Sequence, residues 1–401
     1  MLFVQNGIVQ ANSIAGLYKA SHDGACDGVG AAGAARGFRV GFGKQTFPGR
    51  KVMLQSAKVS RRSVLTGMSA TGLSAAGLSA IGSPSFAQNA PAVQSKTKIV
   101  VTGFYRTPAF HIAQRRGLFA KEGLDVEFLL VRLAPDHNEG LAQGRWPLTM
   151  SSADTMLART TQDGIDFVLF LEAEEGLDVQ LIAQPKYKSL QELRGKLFAA
   201  DPVDSNYDLV RNKIMRDNGV PESDYRYEVI GNSSMRAVAF IEGKVDAAML
   251  QRPFSDHAIA KGGVQLAKGS DYIPNWPVCS GWGLRKWVEA NRSVVVGFTR
   301  AMATATDWLL MPENREEMIQ ILMKEEKLTR AWAESNYSYV VPKAMLRPES
   351  IRKNLELRIE LGYYKPPHKP TEAFYDMSYW SEATGLPAPP PVGLPRNAVA
   401  G

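Results

Sequence analysis

Residues Thr107–Phe128 read TPAFHIAQRRGLFAKEGLDVEF. Thr107 is a residue type that caps a helix, and Pro108 follows at the first turn, where a missing N–H costs nothing. The apolar positions of AFHIAQRRGLFAK recur at helical spacing, Gly123 stops the helix, and LDVEFLLV reads as a strand. KIVVTG at Lys98–Gly103 precedes the stretch and reads as a short buried strand. The order is therefore strand, helix, strand. It recurs at once, with a helix over 136–143, PLTM as a strand, a helix over 153–161 and IDFVLFL as a strand. Alternation of this kind implies a parallel sheet covered by helices.

A second series begins near Ser189. SLQELRG is a short helix, KLFAA a strand, and SNYDLVRNKIMRDNG a helix ended by Gly219; then come strand YRYEVI, helix SMRAVAFIEG and strand VDAAML. From Trp287 onward the pattern is largely helical, with helices expected over 291–310, 313–324, 329–341 and 349–361, packing back onto the first series. No fixed-period repeat is visible, which argues against a solenoid.

Upstream lies a different kind of segment. Arg61 and Arg62 precede Ser63–Ala87, a run without charge that is rich in Gly, Ala and Ser and ends in Ser85-Phe86-Ala87. That is the outline of a twin-arginine export signal, residues 53–87, with cleavage expected near Ala87. A Gly/Ala-rich linker is the bland alternative. Starting at Met53 gives the short basic lead such signals carry, so residues 1–52 are expected to be a non-native, disordered upstream extension from a misassigned start codon. Cleavage after Ala87 leaves 314 of 401 residues, more than one core usually organises, so two lobes are expected.

The formal charge of +7 does not point to nucleic acid. Of 47 Lys/Arg and 40 Asp/Glu, nine and two lie at or before Arg62, leaving 38 of each. A neutral exported chain has no footprint for a phosphate backbone. Cys279 is the one cysteine after the cleavage point, so neither an internal disulfide nor a cysteine metal cluster is expected. No Cys follows the apolar run to take a lipid.

The motifs Gly117-Leu118-Phe119 and Glu122-Gly123-Leu124, together with SLQELRGKLFAA and FIEGKVDAAML, resemble those of the periplasmic substrate-binding proteins of ABC importers. The similar branch includes sulfonate-, taurine- and nitrate-binding members and the binders of thiamine-pyrimidine precursors. The resemblance covers about Lys98 to Gly362. It implies an α/β, two-lobed type II periplasmic binding protein. Each lobe would be a mostly parallel sheet flanked by helices, with two crossover strands and a helical C-terminal tail. Residues 98–185 plus 280–401 would form lobe I and 186–279 lobe II. A ligand would sit between the lobes, where helix N-termini meet the carboxyl ends of parallel strands.

Four strand-end loops are then the candidate ligand-binding turns. In the first, Tyr105 offers an aromatic wall and Arg106 a fork for a carboxylate, with His111 one turn into the helix; a solvent-facing turn and a packed histidine are the bland readings. In the second, Ser152 can cap the next helix and still meet a ligand. The third carries Asp201, Asp204, Ser205 and Asn206. Carboxylates there disfavour a small anion, although Asp204 or Ser205 as a mere helix cap is an equal alternative. The fourth holds Gln251 and Arg252, with Ser234 on the helix opposite; Arg252 could bind a ligand carboxylate or pair with one of the protein's own. Trp276 and Trp282 are expected to pack in the core.

The fold also hosts a pyrimidine synthase and decarboxylases, but the cysteine-rich iron-binding turn of the synthase is missing. No nucleophile elbow, paired histidine motif or phosphate loop appears either. The expectation is a binder without enzymatic activity or cofactor. It would be a monomer exported by the Tat machinery to the periplasm, partnered by an ABC permease and its ATPase, and selective for a nitrogenous ring, zwitterion or aromatic carboxylate. The alternatives are an enzyme acting on a pyrimidine or aromatic acid and a ligand-sensing periplasmic module.

Overall fold

The opening strand, helix and strand form as their residues dictate. In a computed structural model describing residues 96–131, 134–201 and 204–398, β1 (Thr97–Gly103) leads to α1 (Pro108–Arg115). Thr107 Oγ1 accepts the Phe110 N–H at 3.1 Å, satisfying one of the free donors of the first turn. Gly117 takes a φ of 63°, a left-handed value that costs a glycine little, and turns the chain into α2 (Leu118–Lys121) and β2 (Leu124–Leu130). The residues upstream of 96, with the export signal and the expected cleavage at Ala87, lie outside the described residues.

The chain continues through α3 (Ala134–Ala142), β3 (Leu148–Ser151), α4 (Ala153–Gln162) and β4 (Phe167–Glu175). It then crosses to a second sheet built from β5 (Val179–Ala183), β6 (Leu197–Ala200), β7 (Arg226–Val229), β8 (Ala247–Gln251) and β9 (Val264–Lys268), with α5 (Asn206–Asp217) and α6 (Ser233–Ile241) between them. β10 (Pro277–Leu284) returns to the first sheet. The strand orders are β2-β1-β3-β10-β4 and β7-β6-β8-β5-β9. In the first sheet β10 runs antiparallel to β3 and β4; in the second, β5 runs antiparallel to β8 and β9. Each sheet is thus mostly parallel with one reversed strand, the strand just after each crossing. Because β5 pairs with β8 and β9, the chain has entered the second sheet by Val179, ahead of the expected start of that lobe at 186.

The described residues belong to one compact unit. The first core gathers Val101, Phe110, Phe128, Phe298 and Met302, with Phe119 stacked on Phe298 at 5.3 Å between ring centres. Burying one such phenyl group contributes roughly 1.5–3 kcal/mol. Phe298 belongs to an 18-residue helix, Arg292–Leu309, whose apolar stripe covers α1. Trp276 and Trp282 are both fully enclosed, in the second lobe's core and in the first lobe's second cluster respectively.

The helical tail departs from expectation in one respect. The helix Pro348–Glu360 does not rest on the first lobe alone, since Leu357 joins the second lobe's core. Beyond it, the Tyr363 hydroxyl donates to Asp208 at 3.0 Å and accepts from Asn212 at 3.1 Å, both on α5. Sequence periodicity gave the helix but not its position astride both lobes.

Candidate functional site

The carboxyl ends of β1, β3 and β4 and the start of β10 lie at one edge of the first sheet. Those of β6 and β8 lie at an edge of the second. The two crossings run side by side between them, with the Gly176 N–H donating to the Trp276 carbonyl at 2.7 Å. At the end of β1 the backbone is pressed close to β3: a Cβ on Gly103 would stand 2.7 Å from the Met150 carbonyl oxygen. Only glycine fits there without movement, and it sets the loop that follows.

Tyr105 is 38 % exposed as a residue, yet its hydroxyl donates to Glu174 Oε2 at 2.6 Å. Burial, followed by the charge of Glu174, pushes the Tyr105 hydroxyl well above its usual range. Arg106 lies 5.4 Å from the centre of the Phe128 ring, a cation–π contact. His111 is buried against the tail, its Nε2 2.7 Å from Glu326 Oε1, so it joins helix to helix. Ser152 stands at the N-cap of α4 without making the capping hydrogen bond, and its hydroxyl is buried with no partner among the described residues.

The second lobe's loops carry paired charges. Asp201 accepts from the fully buried Arg236 at 3.0 Å; burial still raises its carboxyl above the ordinary range, against the pull of Arg236. Asp204 sits at a φ of 70° and accepts from Arg358 of the tail at 2.6 Å, with Arg159 of α4 at 3.4 Å. Arg358 also holds Asp154 at 2.7 Å. One buried guanidinium thereby ties α4 of the first lobe to the Asp204 loop of the second. Burial pushes Asp154 to about 6 although Arg358 opposes it.

Ser205 caps α5, accepting from the Asp208 N–H at 3.3 Å, and the Asn206 side chain accepts from the next backbone N–H. Gln251 takes a hydrogen bond from Tyr207, and Arg252 lies 3.4 Å from Asp256 and 4.0 Å from Asp178. Ser234 donates to Asn232, the cap of α6, at 2.6 Å. Tyr105 and Ser152 thus stand at the first sheet's edge, while Asp204, Ser205, Asn206, Gln251 and Arg252 stand on the loops of the second. His111 is turned toward the tail.

A cluster not singled out from the sequence ends β4. Glu172, Glu174 and Glu175 lie on a strand otherwise apolar and buried. Glu175 pairs with Arg347 at 2.5 Å, while among the described residues Glu172 Oε2 accepts only the Arg347 backbone N–H, at 3.2 Å. Burial drives Glu172 to about 8 and Glu174 to about 7, the latter despite the bond from Tyr105. Cys279 lies beside both, its thiol pushed well up by burial and then by Glu174 and Glu172. The visible signal was EAEE closing a hydrophobic strand, since acids seldom sit in such a run without a partner or a task. A recess of about 620 Å³ lies elsewhere, at the seam of Thr160–Gln162 with Gly362–Lys365, and includes none of these groups.

Two α/β lobes with paired crossings and converging strand-end loops define the periplasmic binding-protein fold. Residues 98–323 match the NMT1-like family, and the chain belongs to it. It is 21 % identical over 221 residues to the formylaminopyrimidine-binding protein of Halalkalibacterium halodurans, a match spanning 54 % of this chain and 66 % of that relative. Among solved structures, the ligand-binding component of an ABC-type import system from Staphylococcus aureus superposes with a TM-score of 0.59 at 15 % identity, covering 72 % of this chain and 99 % of the other. The periplasmic nitrate-binding protein of Synechocystis PCC 6803 gives 0.58 at 16 %, covering 73 % and 88 %. These relatives are named for binding rather than catalysis, and their likeness in structure is one of fold.

Proposed function

We propose that the chain is the solute-binding component of an ABC importer. On this reading it works in the periplasm after Tat export and cleavage near Ala87, as a monomer and without chemistry of its own. It captures a small polar organic compound between its lobes and hands it to a membrane permease whose ATPase drives release. The observation that carries the reading is the convergence of strand-end loops from two sheets on a pair of adjacent crossings. A ligand touching both lobes would favour their closed arrangement there. The candidate contacts are Tyr105, Arg106 and Ser152 from the first lobe and Asp204, Ser205, Asn206, Ser234, Gln251 and Arg252 from the second, with His111 behind the first loop. Kinship with a formylaminopyrimidine binder favours a nitrogenous ring over an inorganic anion.

Native mass spectrometry of the purified chain, followed by thermal shift with the released compound, tests the reading. The expected result is a non-covalent adduct that raises the melting temperature with the logarithm of its concentration once that exceeds the dissociation constant. Conversion of the compound on the protein would instead demand an enzyme. Intact mass of the exported protein checks cleavage, and peptides from 1–52 in it would overturn the expected start.

A further inference from the structure

The strand register of the first sheet brings a particular set of polar groups together. Ser280 on β10 lies opposite Ser151 on β3 and opposite Glu172 on β4, and Cys279 lies opposite Glu174. All five are buried. Among the described residues, the Oγ atoms of Ser151 and Ser280 and the Oε1 atoms of Glu172 and Glu174 have no hydrogen-bond partner. A buried carboxylate oxygen without a donor is costly, and hydrophobic residues of similar size would serve stability at least as well. Two such oxygens, with two unpartnered serine hydroxyls beside them on three adjacent strands at the sheet edge where the lobes meet, are acceptors for which the described residues supply no donor.

The nearby guanidinium groups are already matched. Arg347 pairs with Glu175, Arg236 with Asp201, and Arg358 with Asp154 and Asp204. Among the described residues, neither Glu172 nor Glu174 takes part in a salt bridge. An anion placed here would keep the two carboxyl groups protonated, whereas a cation with N–H groups would favour their ionisation and fill the open acceptors. A metal ion fits poorly, because the described residues bring no three His, Cys, Asp or Glu side chains into a metal-holding group.

Resting on the solute-binding reading above, we propose that the solute is a small organic cation, an amine, amidine or protonated nitrogen heterocycle, whose N–H groups are held by Glu172 and Glu174 and flanked by Ser151 and Ser280. This moves the charge selection from the Asp201–Asp204 loop to the end of β4. It also sets aside aromatic carboxylates.

The test uses the purified chain and a small-molecule yeast extract separated at neutral pH into cation-exchange-retained, anion-exchange-retained and unretained fractions, each assayed by thermal shift. Stabilisation by the cation-retained fraction is expected. The isosteric variants Glu172→Gln and Glu174→Gln should each need about tenfold more of that fraction for half the shift, the scale of one charged hydrogen bond. Both variants keep the shape of the side chain, and their unliganded melting curves verify folding. Should one fail to fold, the other decides. Stabilisation by the anion-retained or unretained fraction alone would overturn the cation assignment and leave solute binding standing, as would variants that respond like the parent. No response of the parent to any fraction would overturn both.

Discussion

On the second lobe, Asp201 and Asp204 each lie against a buried guanidinium, at 3.0 and 2.6 Å. On the first, Glu172 and Glu174 are buried at least as deeply, yet Glu172 accepts a backbone N–H and Glu174 a phenol, with a second oxygen of each left unpartnered among the described residues. The two edges thus hold acids of opposite use. A carboxylate locked to arginine has spent its charge on architecture, here on tying Asp204 to α4 through Arg358. A carboxylate buried beside neutral donors retains unspent capacity, which a ligand can take up. Counting acids at the mouth of a cleft is therefore a poor guide to what enters it; their partners decide.

The comparison breaks most visibly at Arg358. Replacing it with Ala leaves Asp154 without a cation and Asp204 with Arg159 alone, and removing one member of a buried ion pair costs about 3–5 kcal/mol. Urea denaturation of Arg358→Ala should show a loss of that size, whereas a loss below about 1 kcal/mol, the worth of an exposed pair, would mean that the bridge is not structural.

The pH dependence sharpens the other side. Glu172 and Glu174 titrate at about 8 and about 7 in the folded chain, against roughly 4.3 unfolded. Folded carboxyls with raised pKa hold protons that the unfolded chain has lost, so the stability they contribute is full below roughly pH 4.3, falls from there as pH rises, and is gone once pH passes about 7 and 8. The slope approaches about 1.4 kcal/mol per pH unit for each such proton. The groups facing them are Tyr105 and Cys279 for Glu174, and Arg347, Glu175 and Cys279 for Glu172. His137, lowered by burial to about 4, stays neutral when folded; it removes stability only below about pH 6.5, outside the window of about pH 7 to 8 in which the two folded carboxyls ionise. Urea midpoints between about pH 7 and 8 should fall for the parent and stay nearly flat for Glu172→Gln combined with Glu174→Gln. Equal slopes would place the titration elsewhere.

Why the first lobe's edge was less legible than its fold is a matter of range. The cap at Thr107, the stop at Gly123 and the alternation of β2 are written within a few residues, so β1, α1 and β2 could be read directly. β5 and β9 were not singled out, because VQLIA and VQLAK are short apolar runs that become strands only by antiparallel pairing with distant partners. The site behaves likewise. Strand-end loops follow from the strand order, but the bond from Arg358 to Asp204 spans 154 residues, and no local pattern announces it. Glu172 and Glu174 were visible as letters. Their lack of cations became visible only once Arg347 was seen to pair with Glu175.

The smallest effect should come from Tyr105→Phe, and it bears on the hinge between the two readings of Glu174. The Tyr105 hydroxyl is the one donor that Glu174 has among the described residues. Losing it should cost about 1.5 kcal/mol, the low end for a hydrogen bond to a charged group, in urea denaturation at pH 8, where the carboxyl is substantially ionised. At pH 5.5 the carboxyl, with its pKa near 7, is mostly protonated, and the loss should shrink. A cation bound at Glu174 would favour ionisation and so restore the larger penalty at the lower pH. The Tyr105→Phe cost measured at both pH values, with and without the cation-retained fraction, therefore reports how Glu174 is used. A cost that ignores both pH and ligand would make Tyr105 a packing residue and leave Glu174 without a role in the cleft.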